Sequence, residues 1–135
     1  MSSRSHNLIQ IRPQASTIAI TDEMSDNERF QRKTISPIIK LQSFLFMAVF
    51  KNYIRKHKNF FFELSIEKKL MYIENAVQKD IKFRNSLKGM VIGQFTIEEH
   101  ETYMENSSAL NKRMMYMVIE QLKDHVQAFD APVLI

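Results

Sequence analysis

From residue 25 onward, apolar positions recur at three- and four-residue intervals, the spacing of a helix face rather than the alternation of a strand. Ser25-Asp26-Asn27-Glu28 has the form of a capping box and opens a helix over residues 25–34. Ser36-Pro37 then restarts the chain as N-cap and first helical residue, since proline lacks only an N–H that a first turn leaves unused. The helix that follows, residues 37–57, is apolar on two sides. Leu41, Leu45, Ala48 and Val49 form one stripe, and Ile39, Phe46, Phe50 and Tyr53 form the other. A helix apolar nearly all round belongs in the middle of a bundle or offers one face to a partner.

After a connection over residues 56–62, Ser65 caps a helix over residues 66–79, with Leu70, Ile73, Ala76 and Val77 at helical spacing. The stripe changes phase at Lys79-Asp80. Asp80 caps a helix over residues 80–93 and stands four residues from Arg84, the spacing of an intrahelical ion pair. Gly89 inside it costs about 1 kcal/mol relative to alanine, which predicts close approach of another helix there, with Gly93 as a left-handed stop. Thr96-Ile97-Glu98-Glu99 forms a second capping box for a helix over residues 97–105. Asn106-Ser107-Ser108 breaks it and caps the last helix, residues 108–129, which carries Leu110, Met114, Met117, Val118, Gln121, Leu122 and His125 on one face. Residues 1–24, punctuated by serines and Pro13, read as an irregular arm that stays unpaired. Within it, residues 16–21 are too short for a strand, and residues 130–135 read as an apolar tail. The expected architecture is an all-α bundle of about five to six helices, in one domain over residues 25–129.

Composition narrows this picture without changing it. A chain of 135 residues is one domain. Two glycines and three prolines are too few turn residues for a β-sandwich or barrel. With no cysteine, disulfides, thiol nucleophiles and thiolate metal sites are excluded. The first ten residues hold no apolar core of signal-peptide length. The most apolar stretch, residues 41–50, spans roughly 15 Å as a helix, about half a bilayer. No transmembrane segment is expected, and the cytoplasm is the expected compartment. Charge does change the picture. Between Arg29 and Phe62 there are eight Lys or Arg residues and no acid, whereas between Gly89 and Asn111 there are four glutamates and no Lys or Arg. Such segregation concerns partners rather than fold.

Candidate chemistry is sparse. The four histidines, His6, His57, His100 and His125, lie on different segments, none with a glutamate three residues before it, and no His-Glu-x-x-His occurs. Glu120 with Asp124, and Glu101 with Glu105, read as solvated pairs on helix faces. There is no Gly-x-Ser-x-Gly elbow, and the Gly89–Gly93 spacing lies in a helix rather than in a phosphate-cradling loop. No catalytic residue, metal or cofactor is therefore expected. The leading reading is a non-enzymatic interaction module, a homodimer or a partner-binding bundle, using Phe46, Phe50 and Tyr53 with the basic Lys51, Arg55, Lys56 and Lys58; nine methionines and ten phenylalanines suit such a surface as well as a core. A nucleic-acid-binding reading uses the same basic helix end. It can instead use Asn111, Lys112 and Arg113, since residues 97–114 have helix–turn–helix proportions, although the four glutamates would lie where phosphates approach. A third reading, an enzyme or small-ligand carrier, rests on polar groups near core faces: Asp80, Arg84, Asn85, Asn111 and His125.

Four stretches carry a resemblance: residues 34–42 (Thr-Ile-Ser-Pro-Ile-Ile-Lys-Leu-Gln), 79–85 (Lys-Asp-Ile-Lys-Phe-Arg-Asn), 89–96 (Gly-Met-Val-Ile-Gly-Gln-Phe-Thr) and 108–114 (Ser-Ala-Leu-Asn-Lys-Arg-Met). Over residues 25–128 the chain resembles a small family of uncharacterised all-helical bacterial proteins, some of which carry a glyoxalase label. The resemblance implies a helical fold and no transferable site. Glyoxalases resemble either a βαβββ metal fold or a hydrolase with a Thr-His-x-His-x-Asp-His motif, and neither pattern occurs in this sequence.

Overall fold

Helical periodicity becomes helices throughout the computed structural model, which describes residues 3–13 and 20–129. Among the described residues there is no strand. The segments are α1 (Ser3–Ile11), α2 (Asp26–Phe30), a π-helical turn (Gln31–Ile35), α3 (Ser36–Leu41), α4 (Ser43–Lys56), a 3-10 turn (Phe60–Glu63), α5 (Ile66–Lys79), α6 (Ile81–Ile92), α7 (Ile97–Glu105), α8 (Ser107–Asp124) and a 3-10 turn (Val126–Ala128). The all-α class stands. The expectations for residues 16–19 and for the tail 130–135 lie outside the described residues.

Where a cap is written locally, the helix starts where the sequence places it. The side chains of Ser25, Ser65, Asp80 and Thr96 accept from the N–H three residues on. The Thr96 box is reciprocal: Glu99 Oε1 accepts from the Thr96 N–H at 2.8 Å. The Ser25 box is half-formed, since Glu28 turns instead to Arg32 at 3.2 Å.

The last helix stops at Asp124 rather than at residue 129 and passes into the 3-10 turn, and three further features differ from expectation. Ser36-Pro37 does not restart a helix: Ser36 stays helical at φ −60°, ψ −47°, and its N–H reaches back five residues to the Gln31 carbonyl. Proline's ring crowds the carbonyl four residues earlier, and the widened π turn relieves that clash while Ile35, Ile38 and Ile39 all reach the core. The break falls instead at Gln42 (φ −90°, ψ 4°), where the chain bends by 61° and the Gln42 amide donates to the Met90 carbonyl at 3.1 Å. The third difference is the arm. Residues 3–11 are helical, and arginines tie them to the bundle.

The core gathers around α8, which packs against α3, α4, α5, α6 and α7 and buries Leu110, Met114, Met115, Val118, Ile119 and Leu122. The middle of the bundle is therefore α8 rather than the helix expected over residues 37–57. Phe50, from α4, anchors an aromatic cluster with Phe61, Tyr72, Phe83 and Phe129 at centroid separations of 5.1–6.3 Å. Phe61 comes from the connection and Phe129 from the chain beyond α8; both are buried. Among the described residues nothing lies within 4 Å of a Cβ added at Gly89, so none of their helices makes the expected close approach there. Gly93 is right-handed, at φ −60°, and is not a left-handed stop. Among the described residues no single helix is long and apolar enough to cross a membrane.

Candidate functional site

Three places bring chemistry-bearing side chains together. The first is the outward side of α4. Its exposed residues are Phe44, Leu45, Ala48, Lys51, Asn52, Arg55 and Lys56, which share one face at helical spacing. The face is apolar in its first half and basic in its second. Phe44 is 83% and Leu45 50% exposed. Lys58 extends the basic end and, with Asn59, adopts positive φ (62° and 59°) as the chain turns away. This corrects the expected interaction stripe. Phe46 and Phe50 are fully buried, and Tyr53 is partly buried against the core. The stripe read as one needing a partner is thus covered within the chain; of the opposite stripe Leu45 and Ala48 face out, while Val49 packs against the core. Lys51, Arg55, Lys56 and Lys58 are exposed. The outward side of α7 complements this face, with exposed Ile97 and Met104 among exposed Glu98, Glu101 and Glu105.

The second place is a cleft of about 460 Å³ between the end of α4 and the α5–α6 junction, lined by Tyr53, His57, Tyr72, Asn75, Ala76, Lys79 and Asp80. Tyr53 donates to Asp80 Oδ2 at 3.0 Å while Asp80 Oδ1 caps α6, accepting from the Phe83 N–H at 3.2 Å. The Tyr53 ring lies between those of His57 and Phe83, each with its centroid 4.1 Å away. Burial, then the hydrogen bond to Asp80 and its negative charge, push the Tyr53 phenol well above its ordinary value; burial also raises Tyr72. Tyr53 therefore stays a protonated donor at neutral pH, and its bond to Asp80 ties α4 to the α5–α6 junction. Since a carbonyl only accepts, His57 Nδ1 donates to the Tyr53 carbonyl at 2.8 Å, which leaves Nε2 as the acceptor in the neutral ring. Asp80 is thus spent on Tyr53 and the cap, and the expected Asp80–Arg84 ion pair is not among those of the described residues.

The third place was invisible in the sequence. Arg12 reaches from the arm to the α6–α7 junction, where its Nη1 and Nη2 donate to Glu99 Oε2 and Oε1 at 2.6 and 2.8 Å, and Nη2 also donates to the Gln94 carbonyl at 2.5 Å. The two side chains are 5% and 16% exposed. Buried Thr34 donates to Glu99 Oε2 at 3.1 Å. Burial alone would raise the Glu99 carboxyl, but the Arg12 and Thr96 N–H donors, the Arg12 charge and the Thr34 hydroxyl outweigh it and hold Glu99 below the usual carboxylate range. Two atoms of this region, Arg12 Nε and Gln94 Oε1, are buried without a hydrogen-bond partner among the described residues. Glu99 is legible in sequence only as the closing residue of a capping box. No local signal links it to an arginine 87 positions away.

The remaining candidates are dispersed or internally engaged. Asn111 accepts from the Tyr103 hydroxyl at 2.5 Å, and Arg113 donates to Gln31 at 2.8 Å, which leaves only Lys112 of that trio exposed. Asn111 and Arg113, both half-buried, are thus engaged within the chain. His125 Nδ1 donates to the Gln121 carbonyl at 2.9 Å, Arg84 lines a separate surface cleft with Lys112 and Glu120, and Asn85 is exposed. The structure does not gather Asp80, Arg84, Asn85, Asn111 and His125 into one pocket. Among the described residues no three His, Asp or Glu side chains converge as a metal site. No family model, curated protein or solved structure matches the chain.

Proposed function

We propose that this chain is a non-enzymatic, self-associating helical module in which the outward face of α4 packs against α7 of a second copy. The observation that carries the reading is the contiguous exposed face of Phe44, Leu45 and Ala48 running into Lys51, Arg55 and Lys56. Single exposed apolar residues are ordinary, but neighbouring ones on one helix face favour burial by about 1.5–3 kcal/mol for each large side chain covered. On α7, Ile97 and Met104 supply apolar contacts, and Glu98, Glu101 and Glu105 supply the opposite charge. Such charge pairing sets register and association rate more than affinity.

Light scattering across protein concentration and salt tests this. The expected result is a dimer or larger closed assembly at low salt that shifts toward monomer as salt screens the charges. Phe44→Ser/Leu45→Ser should give a monomer that keeps its helical circular dichroism and whose melting temperature no longer rises with protein concentration. Lys51→Glu/Arg55→Glu should also be monomeric alone and should re-associate when mixed with a Glu98→Lys/Glu101→Lys chain. A wild-type monomer at every concentration and salt rejects the reading.

The exposed basic cluster of Lys51, Arg55, Lys56, His57 and Lys58 favours nucleic acid as the second reading. It predicts binding to duplex or single strand that weakens steeply with salt and is lost in Lys51→Glu/Arg55→Glu. An electrophoretic mobility assay at low salt that detects no complex disposes of it.

A further inference from the structure

We propose that the α6–α7 junction is a receptor for two guanidinium groups, built to take a helical peptide with arginines eight residues apart, and that the N-terminal arm of this chain occupies it in cis. Arg4 Nη1 and Nη2 donate to the carbonyls of Phe95 and Gly93, both at 2.8 Å. Eight residues on, Arg12 forks onto Glu99 and reaches the Gln94 carbonyl. Arg4 stands in the first turn of α1 and Arg12 one residue beyond its end, so the two side chains reach from either end of the helix to a junction whose carbonyls have left the helical ladder and lack intrahelical donors.

The receptor is organised by the bundle rather than by the arm. The reciprocal Thr96–Glu99 capping box fixes the Glu99 carboxylate, and buried Thr34 donates to it from the π turn. Both carboxylate oxygens point at the guanidinium plane, the paired geometry that selects arginine over lysine. Gln94 Oε1, buried and without a partner among the described residues, is a further acceptor in the same region.

The occupant, by contrast, contributes nothing to the core. No residue of α1 is buried, and Ile9 and Ile11 are 53% and 57% exposed. The polar contacts of its two arginines hold the arm, with the advantage of tethering, an effective concentration on the order of millimolar. Such an occupant can be exchanged. A peptide of the same pattern from another chain, a second copy included, makes the same bonds once the arm is displaced or its tether advantage is overcome.

The test uses the full chain and a fluorescein-labelled peptide of residues 1–13. By anisotropy, the Arg12→Ala protein should bind the peptide saturably, at least about tenfold more tightly than the wild type, whose own arm competes. Raised salt should weaken the complex. Arg12→Lys in the peptide should weaken it about tenfold, because an ammonium cannot fork onto the carboxylate. Glu99→Gln in the protein should weaken it further. Equal affinity for wild type and Arg12→Ala, or no binding to an Arg12→Ala protein that keeps its helical circular dichroism, overturns the proposal. Should Arg12→Ala fail to fold, hydrogen exchange on the wild type decides. Millimolar unlabelled peptide should accelerate the amides of α1 and leave those of α7 and α8 unchanged, and no acceleration overturns the proposal.

Discussion

Phe44 and Phe50 are the same residue type on one helix, six positions apart, with opposite roles. Phe50 is fully buried against Phe61, Tyr72, Phe83 and Phe129, whereas Phe44 projects into solvent. Phe50→Ala should therefore destabilise the chain by about 3–5 kcal/mol, through lost burial and a cavity that rigid aromatic neighbours refill poorly. At dilutions where the chain is monomeric, Phe44→Ser should change stability by less than about 0.5 kcal/mol. Urea unfolding of the two variants checks both values. Tyr53 adds a pH signature. Its folded phenol is held above its ordinary value of 10.0 by burial and by Asp80, so the unfolded chain loses the proton first. The stability it contributes is intact below pH 10.0 and is lost as pH climbs through the folded value. Tyr53→Phe should flatten the fall in melting temperature on the alkaline side of that point, as followed by circular dichroism.

At the scale of the element, local chemistry decides starts better than stops or bends. Ser65, Asp80 and Thr96 each carry an acceptor that satisfies an orphan N–H three residues on, so α5, α6 and α7 begin where the sequence puts them. The bend at Gln42 has no such signature. Its amide finds the Met90 carbonyl of α6, a partner 48 positions away, and the bend lets α3 and α4 both turn apolar residues toward α8. The glycines show the same division. Gly89 weakens α6 with no packing contact to offset it, so Gly89→Ala should raise stability by about 0.5–1 kcal/mol. At Gly93 an added Cβ would sit 3.0 Å from the Gly89 carbonyl oxygen, and Gly93→Ala should give no such gain. Thermal melts of the two substitutions side by side distinguish a free helix position from a crowded one.

The whole molecule sets which faces are left over and where the arm goes. The Glu99 carboxyl is held below its ordinary 4.5, so the stability of the Arg12–Glu99 contact is present above pH 4.5 and is lost as pH falls through the lower folded value. On acidification α1 should loosen before the bundle melts. Protection factors at α1 amides that are lower than in α8, fall on acidification and lose that fall in Glu99→Gln are the expected result.

Caps and apolar periodicity act within one or two turns of the chain, and they suffice to make this protein helical, to start most of its helices and to turn the core residues of α5 and α6 inward; on α8 they miss the buried Met115 and Ile119. Tertiary structure alone decided that α8 is the central helix, that Phe46 and Phe50 are core while Phe44 and Leu45 are surface, and that Arg12 meets Glu99. Both stripes of α4 satisfy the same local rule, and only the positions of the neighbouring helices determine which is covered. An ion pair spanning 87 residues likewise depends on the fold having already brought two distant segments together, a condition that no pattern along the chain encodes locally.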